Sequence, residues 1–217
     1  MLIQTIRRKM KKMKDNYFLI SSEFSIKAIK KFKITDTYSW HRTIYGMFDK
    51  NHDDNNYSSR ILWTLAKSNS PLSQTVYILS DRPVSEKTDD VIKYKTTCIP
   101  QKLFEFDRYS FSVVVNPVKR SDGKVVPVKG RENIINWFVQ LAQKNGFLVI
   151  EKGVTLDKVF VDKFKDKQMN EMFIQKAFFS GTLSVTDREL FKKAVTLGIG
   201  RAKTYGCGLL QIVPVID

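Results

Sequence analysis

The sequence predicts an α+β protein made of two α+β halves in tandem, and two observations lead to this fold class. β-forming and amphipathic helical segments follow the order strand, helix, strand, strand, strand up to about residue 100, and the alternation then begins again. The hydrophobic content of 42% and aromatic content of 12% across 217 residues suffice for one substantial core or two small ones of about 100 residues each. Two tandem halves fit this order better than one mixed sheet, although no residue-level repeat relates them.

The first half begins with a strand predicted at residues 17–26, which are rich in β-forming side chains. A basic connection at 27–33 leads to a helix that Asp36 or Thr37 can cap. The apolar face of this helix follows helical spacing through Trp40, Ile44, Met47 and Phe48. Three further strands are predicted at 61–66, 75–79 and 91–99. This order indicates an incomplete or variant βαββαβ unit, the ferredoxin-like arrangement that RNA recognition motifs also use.

The second half carries local signals for each of its elements. The predicted elements are a strand at 109–115, a hairpin within 119–129, a helix from 131 to about 145, strands at 147–150 and 173–185, a helix at 187–197 and a closing strand at 209–215. Asp122-Gly123 signals the hairpin turn, and Gly146 is placed to end the first helix. Thr186 and Glu189 form a capping box, which makes the second helix the most clearly marked element.

The charge and the cysteines limit the class of protein. The chain carries 37 Lys and Arg residues against 22 Asp and Glu residues, a formal net charge of +15. Such an excess favours an anionic polymer as partner, although charge alone does not distinguish RNA, DNA, ribosome or membrane. Cys98 and Cys207 are too far apart for a zinc pair and too few for a secreted disulfide framework, which predicts a cytoplasmic protein. The sequence has no run of about 20 apolar residues, so no membrane association is expected.

Glycines and basic residues lie close together near residue 200: Gly198, Gly200, Arg201, Lys203, Gly206 and Gly208. Glycines let a backbone approach a ligand closely, and the basic side chains favour phosphate as that ligand. The spacing is not a dinucleotide fingerprint, because Lys203 stands where a third glycine is required, and no Gly-Lys-Ser/Thr follows to make a P-loop. The alternative is a helix end followed by a tight turn, which explains Gly198 but not the basic residues among three further glycines.

Tyr38 and His41 are three residues apart at the start of the first predicted helix, so their side chains emerge on one face. A lone histidine is more often structural than catalytic, but these groups suit RNA cleavage, in which the ribose 2′-hydroxyl attacks the adjacent phosphorus and no metal is obligatory. His41 can act as acid or base near neutral pH, and Tyr38 can orient the 2′-hydroxyl or exchange a proton with it. Lys203, Arg201 or loop N–H groups can meet the oxyanion.

Basic residues surround the predicted hairpin turn: Lys119, Arg120, Lys124, Lys129 and Arg131. They form either a solvated surface or a grip on an RNA stem, which proteins recognise by shape and phosphates because the A-form major groove is deep and narrow. Asp53-Asp54 beside His52 suggests a metal nuclease as an alternative, but adjacent carboxylates in an Asn-rich loop usually face water. We therefore expect no metal and no other cofactor.

Three segments of the sequence form a recognisable set: Tyr38-Ser-Trp-His41 ahead of an amphipathic helix, Asn116-Pro-Val-Lys119 after a strand, and the glycine-rich run at 198–210. Together they resemble the CasE family, the repeat-processing endoribonucleases of the type I-E CRISPR Cascade complex. The resemblance implies two ferredoxin-like (RRM-like) domains, which we place at 1–100 and 101–217. It also implies cleavage at the 3′ side of a CRISPR repeat hairpin, a 2′,3′-cyclic phosphate product, and retention of the guide RNA together with the other Cascade subunits.

By motif, the resemblance makes His41 catalytic with Tyr38 assisting, and it assigns RNA binding to the glycine-rich loop. With the basic hairpin, the expected RNA-binding residues are Gly198, Gly200, Arg201, Lys203, Gly206, Gly208, Asn116, Lys119, Arg120, Lys124, Lys129 and Arg131. Two segments depart from the family. The basic leader at 1–14 is either a frayed arm or a phosphate-binding arm, with Met10 or Met13 as an alternative start. Segment 152–170 matches no part of the family, and we expect it to hold RNA or a neighbouring subunit.

Two other functions compete with an endoribonuclease. In a non-catalytic RNA-binding module, the glycine-rich loop and basic hairpin would only clamp a stem, and the RNA would stay intact. A structural subunit that docks its basic face onto a larger ribonucleoprotein would bind isolated RNA weakly and without regard to shape. Neither alternative explains Tyr38 and His41 together.

Overall fold

Two four-stranded antiparallel sheets form the framework of the protein in a computed structural model that describes residues 16–48, 60–67, 70–85 and 91–216. The strands of the first sheet are β1 (Phe18–Ser25), β2 (Ile61–Leu65), β3 (Ser73–Ser80) and β4 (Ile92–Cys98), in the order β2-β3-β1-β4. Our predictions for the basic leader, His52 and Asp53-Asp54 fall outside the described residues.

Two helices follow β1. Helix α1 (Ile26–Lys31) occupies the basic segment that the sequence suggested was only a connection. Its first turn is stabilised because the Ser25 side chain accepts a hydrogen bond from the Ala28 backbone N–H at 3.3 Å, and Ala28 is fully buried. Helix α2 (Thr37–Tyr45) lies where the apolar spacing predicts a helix.

Helix α2 begins at a capping box. Asp36 Oδ1 accepts a hydrogen bond from the Ser39 backbone N–H at 2.8 Å, and the Ser39 hydroxyl accepts one from the Asp36 N–H at 2.9 Å. Trp40 and Ile44 are buried in the core of the first sheet. Because this apolar face is directed towards the first sheet, Tyr38 lies on the side that packs against the second sheet.

The second sheet contains β5 (Arg108–Val115), β8 (Phe147–Lys165), β9 (Glu171–Val185) and β10 (Gln211–Pro214), in the order β10-β5-β9-β8. The remaining elements are a small hairpin of β6 (Val118–Ser121) and β7 (Lys124–Pro127), helices α3 (Arg131–Lys144) and α4 (Arg188–Leu197), and 3-10 turns at Gln101–Phe104 and Lys203–Tyr205. Phe138 of α3 stacks on Phe179 of β9 with ring centroids 4.1 Å apart, which joins helix and sheet in one core.

Strands β8 and β9 form a much longer hairpin than the sequence suggested. β8 has 19 residues rather than the four predicted at 147–150, and its pairing with β9 continues out to Lys165 opposite Glu171. The unassigned segment 152–170 therefore forms the outer part of this hairpin. Apolar and polar residues alternate along parts of this segment, and Val161 is 60% exposed. Such alternation is a strand signal, which the prediction of a short strand at 147–150 did not use.

Each half has the ferredoxin-like strand order, because its first strand lies between its third and fourth strands. The predicted α+β class with two tandem ferredoxin-like domains is confirmed. The two sheets lie on either side of residue 100, and a domain boundary at that residue stays a prediction. Within the described ranges, no helix is long and apolar enough to cross a membrane.

Candidate active site

His41 lies where helix α2 meets the glycine-rich loop (residues 198–208). Its ring centroid is 4.2 Å from that of Tyr45, 5.9 Å from that of Tyr205 and 6.1 Å from that of Tyr38. Tyr38 and Tyr45 come from the same helix, three residues before and four residues after His41, whereas Tyr205 comes from the loop. Sequence reasoning missed Tyr45 and Tyr205, although the spacing of Tyr45 on α2 was a usable signal.

The environment of His41 disfavours its charged form. Burial lowers the pKa of the imidazole below its usual 6.5, and an interaction with the Thr204 backbone acts in the opposite direction. Nδ1 is buried and has no hydrogen-bond partner within the part of the chain that the structure describes. At pH 7 the ring is therefore neutral, with a nitrogen that no described protein group engages.

We expect NMR titration of His41 to give a midpoint below pH 6.5 in the folded protein. Below that pH the unfolded chain takes up a proton before the folded chain does, so His41 lowers the free energy of unfolding as the pH falls through 6.5. The chain has two histidines, and the His52→Gln variant assigns their signals. A midpoint at or above 6.5 would contradict the effect of burial.

The glycine-rich loop packs against strand β2. Trp63 donates a hydrogen bond from Nε1 to the Thr204 carbonyl at 3.0 Å. A Cβ on Gly206 would lie 3.0 Å from the Trp63 ring, and one on Gly198 would lie 2.8 Å from the Leu62 side chain. Both glycines also have positive φ angles. Close packing between the two halves thus requires these glycines and holds Tyr205 beside His41.

The loop residues predicted to bind phosphate have different surroundings. Gly208 is buried with Gly198 and Gly206, and a Cβ on it would lie 2.5 Å from the Ile199 carbonyl. Lys203 donates a hydrogen bond from Nζ to the Leu197 carbonyl at the end of α4, at 2.8 Å, and burial lowers the pKa of its ammonium. Gly200 is half-buried and Arg201 is exposed. Packing against protein atoms therefore explains why three of these positions are glycine, as the tight-turn alternative suggested for Gly198. Arg201 is the basic residue that the loop exposes.

A buried polar network joins α2 to the long hairpin. Thr37, the first residue of α2, donates a hydrogen bond from Oγ1 to Asp162 of β8. Lys176 of β9 forms an ion pair with Asp162 at 2.8 Å and donates a hydrogen bond to Thr37 at 3.2 Å. Lys176 is only 8% exposed. The network fixes the first turn of α2, which carries Tyr38, against the second sheet.

Tyr38 and Tyr205 share one apolar cluster. They pack against a cluster that includes the buried residues Phe164, Ile174 and Cys207, and the Tyr205 and Phe164 ring centroids are 4.9 Å apart. Burial is the main cause that raises the pKa of Tyr205, and the charges of Asp166 and Tyr38 act in the same direction. A phenol with the ordinary pKa of about 10 is already protonated at neutral pH, and the upward shift leaves Tyr205 in this form, able to donate a hydrogen bond.

The basic hairpin of β6 and β7 is anchored by side chains of the second half. Trp137 donates a hydrogen bond to the Val118 carbonyl at 3.0 Å, and Gln175 donates one to the Val128 carbonyl at 2.8 Å. The predicted RNA-binding residues of this region are exposed: Lys119, Arg120, Lys124, Lys129 and Arg131. Arg131 also donates a hydrogen bond to the Leu156 carbonyl at 2.8 Å. Asn116 is half-buried, and its buried Oδ1 has no hydrogen-bond partner among the described residues.

Comparison with known proteins identifies the family. Residues 18–214 match the CRISPR associated protein family. The chain belongs to this family. Among its CRISPR-associated relatives, the endoribonuclease Cse3 of Thermus thermophilus is 29% identical over 118 residues, which are 49% of this chain and 56% of the relative. The match thus spans about half the length of that relative.

Solved structures of other CRISPR-associated proteins have the same fold. The CRISPR endoribonuclease Cse3 bound to a 19-nucleotide RNA superposes with a TM-score of 0.78 at 20% identity, covering 91% of this chain and 100% of the other. Cas6e from Escherichia coli K-12 gives a TM-score of 0.60 at 23% identity, with 91% and 100% coverage. At such identities these likenesses establish the fold. With the family match, they confirm the resemblance to CasE.

Proposed function

We propose that this chain is a metal-independent endoribonuclease that cuts CRISPR repeat hairpins in precursor RNA. The supporting observation is the position of His41, held among Tyr38, Tyr45 and Tyr205 where the two halves meet, in a CRISPR-associated protein that has an endoribonuclease among its relatives. The ribose 2′-hydroxyl attacks the adjacent phosphorus, the 5′-oxygen leaves, and the upstream product ends in a 2′,3′-cyclic phosphate.

This reaction requires two proton transfers and the stabilisation of one charged phosphorane. The neutral imidazole of His41 can accept the 2′-hydroxyl proton, or its protonated form can donate one to the 5′-oxygen. Tyr38 orients the 2′-hydroxyl or exchanges a proton with it. The Tyr205 phenol, which is protonated at neutral pH, donates a hydrogen bond to a phosphate oxygen. These side chains move both protons without a metal ion.

RNA binding in this proposal depends on the exposed basic residues. The β6–β7 hairpin carries Lys119, Arg120 and Lys124 into solvent, where they contact phosphates of the A-form stem. Arg201 and the backbone at Gly200 extend this contact from the glycine-rich loop. The buried glycines support RNA binding indirectly, because they seat the loop on β2.

The proposed substrate and product also predict the complex and the cell compartment in which the protein acts. Contacts to the stem persist after the cut, so the enzyme retains the mature guide RNA and carries it as one subunit among the other Cascade subunits. The precursor RNA places this activity in the cytoplasm. We divide the chain near residue 100 into the half that supplies His41 and the half that supplies the loop and basic hairpin.

The decisive experiment incubates the chain in EDTA with a hairpin repeat RNA and with the same RNA carrying one 2′-deoxy substitution before the scissile phosphate. We expect only the unmodified RNA to be cut, because the substitution removes the nucleophile. Tight binding without cutting of either RNA would favour the non-catalytic RNA-binding module. A requirement for magnesium would reject the mechanism through Tyr38 and His41.

We expect the triple variant Lys119→Ala, Arg120→Ala, Lys124→Ala to bind hairpin RNA more weakly and with a shallower salt dependence. Each lost phosphate contact makes the slope of log affinity against log salt shallower by about 0.7 to 0.9, so three lost contacts make it shallower by about 2.1 to 2.7. The triple alanine variant of Lys27, Lys30 and Lys33, which are also exposed and lie in and beside α1, removes the same charge as a control. Equal slopes for the two variants would show that the hairpin acts only through net charge.

A further inference from the structure

The outer end of the β8–β9 hairpin (residues 163–171) has no part in the proposed cleavage, yet it lies beside Tyr38. Together with the start of α2 it borders an open cavity of about 650 Å³. Asp36 and Tyr38 line this cavity from the α2 side, and most of the hairpin end lines the other side. We call it the Tyr38 groove. A side chain of the proposed catalytic site thus forms part of the wall of a groove that has no assigned role.

The groove is lined by three lysines and three carboxylates, two of which belong to the hairpin end and one, Asp36, to the α2 side. All three carboxylates make contacts within the protein, and Asp36 accepts its hydrogen bond from the first turn of α2. Asp166 accepts hydrogen bonds from the backbone N–H groups of Gln168 and Asn170, both at 2.9 Å, and Glu171 pairs with Lys163 at 2.9 Å. Lys165 and Lys167 also line the groove and are exposed. These two lysines offer positive charge to a phosphate backbone.

Apolar surfaces accompany the lysines. The half-buried Tyr38 ring lines the groove, as do Met169, which is 67% exposed, and Phe164, which is only 4% exposed. Bases stack on flat apolar and aromatic surfaces, while lysines follow the backbone of a single strand. A cavity of this size suits a molecule as large as a drug. The groove therefore accommodates one or two unpaired nucleotides and is too small for a duplex.

We propose that the Tyr38 groove binds the unpaired nucleotides on the 3′ side of the scissile phosphate. This inference rests on the proposed function, in which the basic residues hold the stem on the other side of the cut. The strand beyond the cut is single, and the groove combines two exposed lysines with apolar surface, the two kinds of group that bind single strands. Because Tyr38 borders both the groove and the ring cluster around His41, nucleotides in the groove hold the scissile phosphate in place.

The test compares two hairpin RNAs that have one or six unpaired nucleotides beyond the cut and a 2′-deoxy substitution that blocks cleavage. We expect the longer RNA to bind about 10-fold more tightly, since stacking of a single base can supply a factor of this order. The Lys165→Ala, Lys167→Ala variant should lose most of that gain, and its salt slope for the longer RNA should fall by about 1.4, or about 0.7 per single-strand contact. The matched control is Lys144→Ala, Lys193→Ala, which removes exposed lysines from α3 and α4 and should keep the gain.

Equal binding of the two RNAs by the unmodified chain would overturn the proposal, as would a Lys165, Lys167 variant that keeps the full gain. Unchanged RNA binding with weakened association to another Cascade subunit would mean that the groove binds protein, and the proposal would again be wrong. Cleavage assays on the same RNAs without the 2′-deoxy substitution test the endoribonuclease proposal separately from the groove proposal. If the unmodified chain cuts neither RNA, the endoribonuclease proposal fails, whereas the binding comparison does not depend on cutting.

Discussion

The His41→Ala variant is expected to cut hairpin RNA at least about 100-fold more slowly than the unmodified chain while binding it almost equally well. A positioned general acid or base contributes about 100- to 10,000-fold to a reaction rate, and no other histidine lies within the described residues. Affinity should change little, because the proposed function assigns the phosphate contacts to exposed lysines and arginines distant in sequence from His41. Single-turnover cleavage and equilibrium binding of the 2′-deoxy RNA measure the two effects separately.

The His52→Ala variant is the matched control for this result, because it removes the other histidine of the chain. It should cut at the normal rate. Undiminished cutting by the His41→Ala variant would remove His41 from the mechanism. A parallel loss of affinity would instead indicate that His41 supports the packing of the glycine-rich loop, with which it is in contact through Tyr205.

The second large effect is expected at the buried network, where Asp162→Ala should lower the free energy of unfolding by about 3 kcal/mol. The substitution leaves the Lys176 ammonium buried without its counter-charge, and breaking such a pair is strongly destabilising. Urea denaturation followed by fluorescence measures the change. Adding Lys176→Met to Asp162→Ala should recover most of the stability, because the buried charge is then removed as well.

A surface ion pair provides the comparison for this prediction. Asp107→Ala removes the partner of Arg188 in a pair whose side chains are 51% and 81% exposed, and such pairs contribute at most about 1 kcal/mol. Similar losses for Asp162→Ala and Asp107→Ala would show that burial of the Thr37, Asp162 and Lys176 network has little energetic importance. The Asp162→Ala variant should also cut more slowly, since the network fixes the first turn of α2.

The sequence predicted well those features that depend on neighbouring residues. The start of α2 was predictable because Asp36 and the apolar residues that follow are local signals, and the structure has a capping box there. The common face of Tyr38 and His41 followed from helical spacing alone. The ferredoxin-like order was predictable from the succession of elements and from the family resemblance together.

The contacts that complete the site could not be predicted in this way. Thr37 meets Asp162 and Lys176 across 125 and 139 residues, and no local pattern links residues so far apart. The glycines of the loop suggested a phosphate site, whereas Gly198, Gly206 and Gly208 lie against protein atoms. Sequence shows that a position needs glycine, but it does not show whether a ligand or another part of the chain occupies the space.

The packing of the glycine-rich loop on Trp63 determines the stage of protein synthesis at which the site around His41 can form. The hydrogen bond from Trp63 to Thr204 spans 141 residues of chain, and Tyr205 follows directly. A ribosome therefore completes helix α2 long before it makes the residue that faces His41. A nascent chain that exposes only the first half has its histidine but lacks the loop, so under the proposed mechanism it cannot cleave RNA until translation has passed the loop.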